Sequence, residues 1–540
     1  MYRVSLETSY FPAQTDEAIL PTTVGGVLRT AAENAPEAVA LIEALPNGTL
    51  QSRWTYKALL KDCERLATAL AARFEKGERI AIWAPNTPEW AIVEFAAGLA
   101  GLTLVTVNPA YQAKELRYVL EQSKSVALFL VKEFRGNSMA AIARDVCADL
   151  PDIRAIVDIE DESQLYVGWD FARALPSVKP DDPAQIQYTS GTTGFPKGAV
   201  LSHRSLTNNS RLSALRMGAK KGDTYLNLMP MFHTAGCSLA MLGAVQCRCR
   251  IILLRQFDPD AAIAIIDHER VNLTMGVPTM LIGMLEANER KARDLSSMRA
   301  VMSGGATVPA ELVCRIESTF GCALVIIYGQ TETSPGLTQV APDDCFEDRT
   351  ETIGQAFPQT ELSIRDIGTN KPVPVGAIGE ICSRGYCNML GYNGNPKATA
   401  ETIDREGWLH TGDLGTMDAR GFLRITGRVK DMIIRGGENL FPAEIENVLV
   451  THPDIAEVAV VGVPDARWGE IAICFFRPRK ASHPAKAELV GHVRRELAAP
   501  KTPAEWIALQ SFPLTGSGKI QKFILRERYI AGEYEEQRLS

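Results

Sequence analysis

The run Tyr188-Thr189-Ser190-Gly191-Thr192-Thr193-Gly194-Phe195-Pro196-Lys197-Gly198 restricts this chain more than any other. Its three glycines let the backbone approach an anion. The hydroxyls of Thr189, Ser190, Thr192 and Thr193 and successive peptide N–H groups can donate to phosphate oxygens, and Lys197 adds positive charge. Pro196 before the lysine and Gly198 after it separate the run from the Walker loop, which needs Gly before its Lys and Ser or Thr after it. Alone, such a composition reads as a surface turn. The flanks argue for more: Gln185-Ile186-Gln187-Tyr188 leads in like a strand and Ala199-Val200-Leu201 leads out like another. A hairpin with a mobile anion-binding tip is expected.

The rest of the chain reads as alternating strands and helices. Gly77-Glu78-Arg79-Ile80-Ala81-Ile82-Trp83 opens a β-α-β pattern, and Thr87-Pro88-Glu89 starts a helix with a capping hydroxyl and proline at its first position. Apolar residues run to Ala100, where Gly101 stops the helix. A strand over 102–107, a helix over 114–122 and a strand over 126–131 continue the alternation, which recurs over 258–327. That pattern predicts an α/β fold with mostly parallel sheets and helices packed on them. At 540 residues the chain exceeds one hydrophobic core. A glycine-to-charge transition over 425–431 places a boundary between residues 1–427 and 428–540. The second segment reads as a small α+β domain, with a helix over 442–450, strands over 455–463 and 471–477, and a helix over 488–497.

Hydrophobic content of 46% and charged content of 22% are those of a globular protein. The net charge of -7 gives no general attraction for nucleic acid or acidic membranes, so an anionic ligand must be held by local positive charge. The 11 cysteines lack metal-ligand spacing; Cys247 and Cys249 have no Cys-x-x-Cys partner nearby. Reduced thiols, the absence of a secretory pattern after Met1, and the absence of an apolar run of membrane-spanning length together predict a cytoplasmic enzyme.

Further motifs follow the hairpin in order: Met229-Pro230-Met231-Phe232-His233-Thr234-Ala235-Gly236, Ser303-Gly304-Gly305-Ala306, Tyr328-Gly329-Gln330-Thr331-Glu332, Trp408-Leu409-His410-Thr411-Gly412-Asp413, Arg435-Gly436-Gly437-Glu438-Asn439 and Thr515-Gly516-Ser517-Gly518-Lys519. The ordered series, over nearly the whole chain, resembles the adenylate-forming (AMP-binding) superfamily of acyl-CoA synthetases, peptide-synthetase adenylation domains and firefly-type luciferases. With Val107-Asn108-Pro109-Ala110-Tyr111, it is most similar in appearance to the fatty-acyl-CoA synthetases.

The resemblance implies a large N-terminal domain holding ATP and the acyl pocket, and a small C-terminal domain that moves. ATP or AMP is expected at Thr189, Ser190, Gly191, Thr192, Thr193, Gly194, Lys197, Gly304, Gly305, Ala306, Tyr328, Gly329, Gln330, Asp413 and Arg428. Tyr328 would lie against adenine, Thr331 at the phosphate, and Asp413 at the ribose hydroxyls, while Glu332 would bind Mg²⁺. The acyl pocket is assigned to His233, Thr234, Ala235, Gly236 and Gly304. Small residues at Ser303 to Ala306 would leave room for a flat base or an extended chain. Lys519 is the adenylation lysine, Lys430 the hinge, and Gly436, Gly437 and Glu438 the loop of the CoA step. The catalytic set is Lys519, Glu332, Thr331 and His233.

ATP, Mg²⁺, CoA and a carboxylic acid, with a medium- or long-chain fatty acid preferred, are the implied ligands. A homodimer is left open. An aryl-acid ligase, an adenylate-forming enzyme that does not use CoA, and a nucleotide-binding regulator are the alternatives. His233 stands where peptide-synthetase relatives carry an Asp that pairs the substrate ammonium, which argues against an amino acid.

Overall fold

The computed structural model describes residues 1–169, 174–189, 196–436, 438–479, 482, 484–513 and 520–539, except the side chains of Glu438 and Asn439. Two large sheets form the body. One has seven strands in the order Gly391–Tyr392, Lys197–Ser202, Pro183–Thr189, Thr103–Val107, Arg79–Trp83, Ser125–Leu130 and Ala155–Asp158. The strands from Pro183–Thr189 outward are parallel to their neighbours, and Lys197–Ser202 turns back antiparallel, so the expected hairpin is present.

The other large sheet has nine strands. Ala323–Gly329, Ala300–Gly304, Leu273–Met275, Thr224–Asn227, Arg250–Leu254 and Val39–Ala44 make its parallel centre, and antiparallel strands close both ends.

Helix Pro88–Ala100 shows how local chemistry serves this architecture. Thr87 Oγ1 accepts from the Trp90 N–H, Pro88 takes the first turn, and Gly101 ends the helix at φ 71°. Every residue of the helix but Glu89 is buried. That fits a helix apolar on nearly every side, which must be covered all round, with buried Glu94 accepting from Gln185 Nε2 at 2.7 Å. Trp83, Trp90, Phe95 and Phe129 are fully buried, each contributing about 1.5–3 kcal/mol of burial free energy.

A third, antiparallel sheet of Tyr10–Phe11, Thr360–Arg365, Gly379–Gly385, Leu409–Met417 and Leu423–Arg428 packs around Phe11, Leu362, Ile364 and Ile381. The fourth sheet begins at Ile433–Arg435 and is built on the long pair Ile455–Asp465 and Gly469–Pro478. Its alternation is strict. Val460, Cys474 and Phe476 face helices Pro442–Leu449 and Lys486–Glu496, while Ala459, Val461, Ile473 and Phe475 join Leu525 of helix Lys522–Ile530 in a separate cluster. A two-sided antiparallel sheet between helices is the α+β pattern expected there.

Candidate active site

Three sheets deliver residues to one place. Tyr328 is next to last in strand Ala323–Gly329 of the nine-stranded sheet, and its hydroxyl donates to Asp413 Oδ2 at 2.9 Å. Asp413 lies on Leu409–Met417 of the antiparallel sheet, and Arg428 Nε, from the adjacent strand, donates to Asp413 Oδ1 at 2.8 Å. Asp413 is buried. Each carboxylate oxygen has two lone pairs, so both keep capacity for a further donor such as a sugar hydroxyl. Burial and the Asp413 charge hold the Tyr328 phenol well above its ordinary range, so it stays a neutral donor.

The third sheet contributes the hairpin. Thr189 and Lys197 are paired at its neck, with Thr189 Oγ1 donating to the Lys197 carbonyl at 3.3 Å, and the Tyr118 hydroxyl holds the Pro196 carbonyl at 2.9 Å. The expected phosphate contacts of Ser190, Gly191, Thr192, Thr193 and Gly194 lie outside the described residues. Tyr392 pairs with Ala199 of the hairpin and donates its hydroxyl to Glu332 Oε1 at 2.6 Å, while the Lys197 ammonium sits 5.0 Å from the Tyr392 ring centroid. Glu332 is 8% exposed, in the 3-10 turn Thr331–Thr333, and its carbonyl accepts from the Met389 N–H at 2.8 Å. Gly329 and Gln330 lead into that turn, with the Gln330 N–H bonded to Thr333 Oγ1 at 3.1 Å.

At Gly304, expected to leave room, and at Gly236, assigned to the acyl pocket, backbone stands where a side chain would be. A Cβ on Gly304 would lie 2.4 Å from the Ile327 carbonyl oxygen of the neighbouring strand, and one on Gly236 would lie 2.3 Å from that of Pro230. Their missing side chains admit a neighbouring chain segment. Gly305 and Ala306 are exposed, and Gly305, at φ +76°, has open space beside it. His233 is exposed on the turn that enters the π-helix Ala235–Leu242, its Nδ1 accepting from the Ala235 N–H at 3.2 Å, and Thr234 and Ala235 are buried beneath it. Asn86 braces the turn from the other large sheet, donating to the Met229 carbonyl at 3.0 Å and accepting from the Met231 N–H at 2.7 Å.

Lys430 is exposed on the 3-10 turn Val429–Asp431, between the third and fourth sheets. The Gly436 N–H donates to the Trp468 carbonyl at 2.7 Å, and the Glu438 backbone pairs with Arg435. Gly437, Lys519 and the Glu438 side chain lie outside the described residues. Tyr392, Gln122 and Glu380 were not singled out in the sequence. Tyr392 meets Glu332 across 60 residues, Glu380 meets His410 across 30, and Gln122 meets the Tyr188 hydroxyl across 66 and Asn393 across 271; none carries a local signature.

A glycine-rich hairpin, a Tyr–Asp–Arg cluster and a buried carboxylate, brought together from two largely parallel sheets and one antiparallel sheet, define a nucleotide-using α/β enzyme. The chain belongs to the AMP-binding enzyme family: that family's model matches residues 28–393, and the model of the AMP-binding enzyme C-terminal domain matches 444–519. It is an AMP-forming acid–thiol ligase that uses ATP to join a carboxylic acid to CoA. Among similar proteins, Bacillus subtilis (strain 168) YngI is 37% identical over 542 residues, covering 95% of this chain and 98% of that protein. The human medium-chain acyl-CoA ligase ACSF2, mitochondrial, is 34% identical, covering 96% and 89%. The crystal structure of ATP-bound MatB from Rhodopseudomonas palustris matches with a TM-score of 0.83 at 29% identity, covering 94% and 99%. Among the described residues no helix is long and apolar enough to cross a membrane.

Proposed function

We propose that the acid is an unbranched medium- or long-chain fatty acid, and that the residues around Asp413 and Glu332 carry its activation. The convergence of three sheets on the Tyr328–Asp413–Arg428 cluster and the Lys197–Tyr392–Glu332 stack supports the activation chemistry most. In the first half-reaction the carboxylate attacks the α-phosphorus of ATP and pyrophosphate leaves. Asp413 accepts the ribose hydroxyls on its spare lone pairs, Tyr328 lies against adenine, Arg428 reaches the ribose or α-phosphate, and the 189–198 hairpin with Lys197 holds the departing pyrophosphate. Lys519 bridges the carboxylate and phosphate oxygens. Positioning and charge stabilisation supply most of the acceleration.

Glu332 suits Mg²⁺: it is a buried carboxylate oriented by a tyrosine hydroxyl, and Mg²⁺ takes one or two carboxylates with phosphate oxygens completing its shell. The ion, when bound, would neutralise phosphate charge.

In the second half-reaction the CoA thiolate attacks the acyl carbonyl and AMP leaves. The hinge is Lys430, just past Arg428, the last paired residue of the third sheet, and rotation of the segment beyond it exchanges the Lys519 loop for the loop of Gly436, Gly437 and Glu438. Gly437→Leu is expected to leave acyl-adenylate and pyrophosphate formation intact in a single turnover while acyl-CoA scarcely accumulates. A side chain there would fill the thiol's path, whereas glycine leaves it open. A mutant of normal melting temperature that makes acyl-CoA at the wild-type rate removes this loop from the thiol path.

The case for a fatty acid rests on the motif 229–236, which offers no carboxylate to pair an amino acid's ammonium. The relative named a medium-chain acyl-CoA ligase agrees with it. In a panel of acids assayed with ATP and CoA, each added methylene is expected to raise kcat/KM about fourfold up to the pocket's limit, since a buried methylene contributes about 0.8 kcal/mol. A flat response, or preference for a benzoate or cinnamate, transfers the assignment to the aryl-acid ligases.

A further inference from the structure

The carboxylate at the centre of the site stands on an irregularity in its strand. Where Leu409–Met417 runs antiparallel to Gly379–Gly385, Glu380 faces Leu414 and Cys382 faces His410. Only Ile381 lies between on one strand, while Thr411, Gly412 and Asp413 lie between on the other. The three residues therefore bulge out of the ladder, and unpaired backbone must find partners elsewhere. Thr411 Oγ1 donates to the Ile381 carbonyl at 2.7 Å and accepts from the Asp413 N–H at 3.1 Å. Gly412 turns at φ +71°, a conformation favouring glycine, and its N–H donates to Glu380 Oε1 at 2.9 Å.

Glu380 is in turn held by His410. Its Oε2 lies 2.7 Å from His410 Nδ1, and His410 Nε2 lies 3.4 Å from Asp404 Oδ2. Asp404 is fixed by the N–H groups of Glu406 and Trp408 and by the Asn370 amide. With a carboxylate at each ring nitrogen, both nitrogens are satisfied only as donors, which is the imidazolium. Glu380, Cys382 and His410 also gather three ligand-type atoms within 4.8 Å. The 2.7 Å contact between oxygen and nitrogen is a hydrogen bond, however, so a proton rather than an ion joins the pair.

We propose that Glu380 and His410 are positioning residues for ATP: the imidazolium holds the Glu380 carboxylate on the Gly412 N–H, which fixes the bulge that presents Asp413 to the ribose hydroxyls. The proposal deepens the reading of Asp413 as the ribose acceptor and rests on it. The groups facing His410 are Glu380 and Cys382 from one strand and Asp404 from the segment after helix Pro396–Thr402. Arg365, stacked on Trp408, and Glu406 lie further out. Burial pushes the Cys382 thiol up, so it stays neutral. The Glu380 hydrogen bond, then Asp404, hold the His410 imidazole above its ordinary range of about 6.5. The clamp is therefore fully formed below that range and is released as pH rises through the raised value.

The test is acid-dependent ATP–pyrophosphate exchange with ATP and with 3′-deoxy-ATP, from about pH 6 to about pH 9. The wild-type protein and the variants Asp413→Asn, Glu380→Ala, Glu380→Gln and His410→Gln are compared. Wild type should prefer ATP, more weakly at high pH, and Asp413→Asn should lose the preference. Glu380→Ala should weaken it about tenfold through KM for ATP, with kcat at saturating ATP retained. Glu380→Gln, whose amide oxygen still accepts from Gly412, should keep the preference and, like His410→Gln, lose its pH dependence. Asp413→Asn with an intact preference overturns the ribose reading itself. Loss in Asp413→Asn with retention in Glu380→Ala overturns the positioning role alone. An equal fall in kcat for both nucleotides in Glu380→Ala and Glu380→Gln marks a merely structural pair, and a wild-type pH profile in His410→Gln removes the protonation step.

Discussion

Lys519→Ala is expected to slow acyl-adenylate formation by about 100- to 1,000-fold, the scale on which removal of one charge-stabilising donor acts. Thioester formation from supplied acyl-adenylate and CoA should survive. Both expectations come from one assignment: the side chain meets negative charge while the α-phosphorus is attacked, and the C-terminal segment carries it away before the thiol arrives. Pyrophosphate release in a single turnover measures the first half-reaction, and acyl-CoA produced from adenylate measures the second. Comparable damage to the two would make Lys519 a structural residue or exclude the rotation about Lys430. Its own loop lies outside the described residues, so the kinetic separation is the direct way to place it.

Much of the fold is legible locally. The hairpin of Pro183–Thr189 and Lys197–Ser202 follows from two strand-forming runs flanking a glycine-rich turn. Helix Pro88–Ala100 follows from a threonine cap, a proline at its first position and a glycine after its last. The fourth sheet follows from period-two alternation that places Val460 and Val461 in different clusters. Sheet order is not legible in this way. Nothing near Tyr392 announces that it will pair with Ala199, or that Tyr10–Phe11 will join Thr360–Arg365, because those pairings close loops of hundreds of residues and leave no local pattern.

The site divides along the same line. Tyr328, Asp413 and Arg428 stand in motifs readable along the chain, and the sheets place them within hydrogen-bonding distance. The supporting partners are less legible: a tyrosine on Glu332, and behind Gly412 a glutamate that no motif contains, held by His410 of the Asp413 motif. Glycine has a double meaning that only coordinates resolve. Gly304 reads as space for a ligand and Gly236 as an acyl-pocket residue, and a Cβ at either would also strike a carbonyl oxygen of the fold itself. Gly412 stands in the Asp413 motif with no role of its own in the sequence, yet its positive φ and its N–H to Glu380 set where Asp413 stands.

Glu332→Gln is expected to lower kcat/KM for ATP by about 100-fold or more, the loss expected where charge stabilisation of the phosphates is removed. Tyr392→Phe should cost about tenfold, the usual scale for a partner that only orients a metal-binding group. A carboxylate only 8% exposed must be paired or neutralised, and the Tyr392 hydroxyl at 2.6 Å supplies one strong hydrogen bond. Burial, then Glu332, raise the Tyr392 pKa, so the hydroxyl keeps its proton and remains the donor. The Lys197 ammonium, 5.0 Å from the centroid of that ring, adds a cation–π contact and couples the hairpin to the carboxylate. Glutamine retains an oxygen for the Tyr392 hydroxyl and removes only the charge. Glu332→Gln should therefore keep its melting temperature and bind metal-free ATP at least as well as wild type, while its half-saturating Mg²⁺ concentration rises sharply. Tyr392→Phe should shift the same quantity less. Once Glu332 is already Gln, adding Tyr392→Phe should have little further effect, because the hydroxyl then orients no metal ligand. Unchanged Mg²⁺ dependence in Glu332→Gln, or full additivity of the two substitutions, would show that Glu332 holds the Thr331–Thr333 turn in place and does not meet the metal.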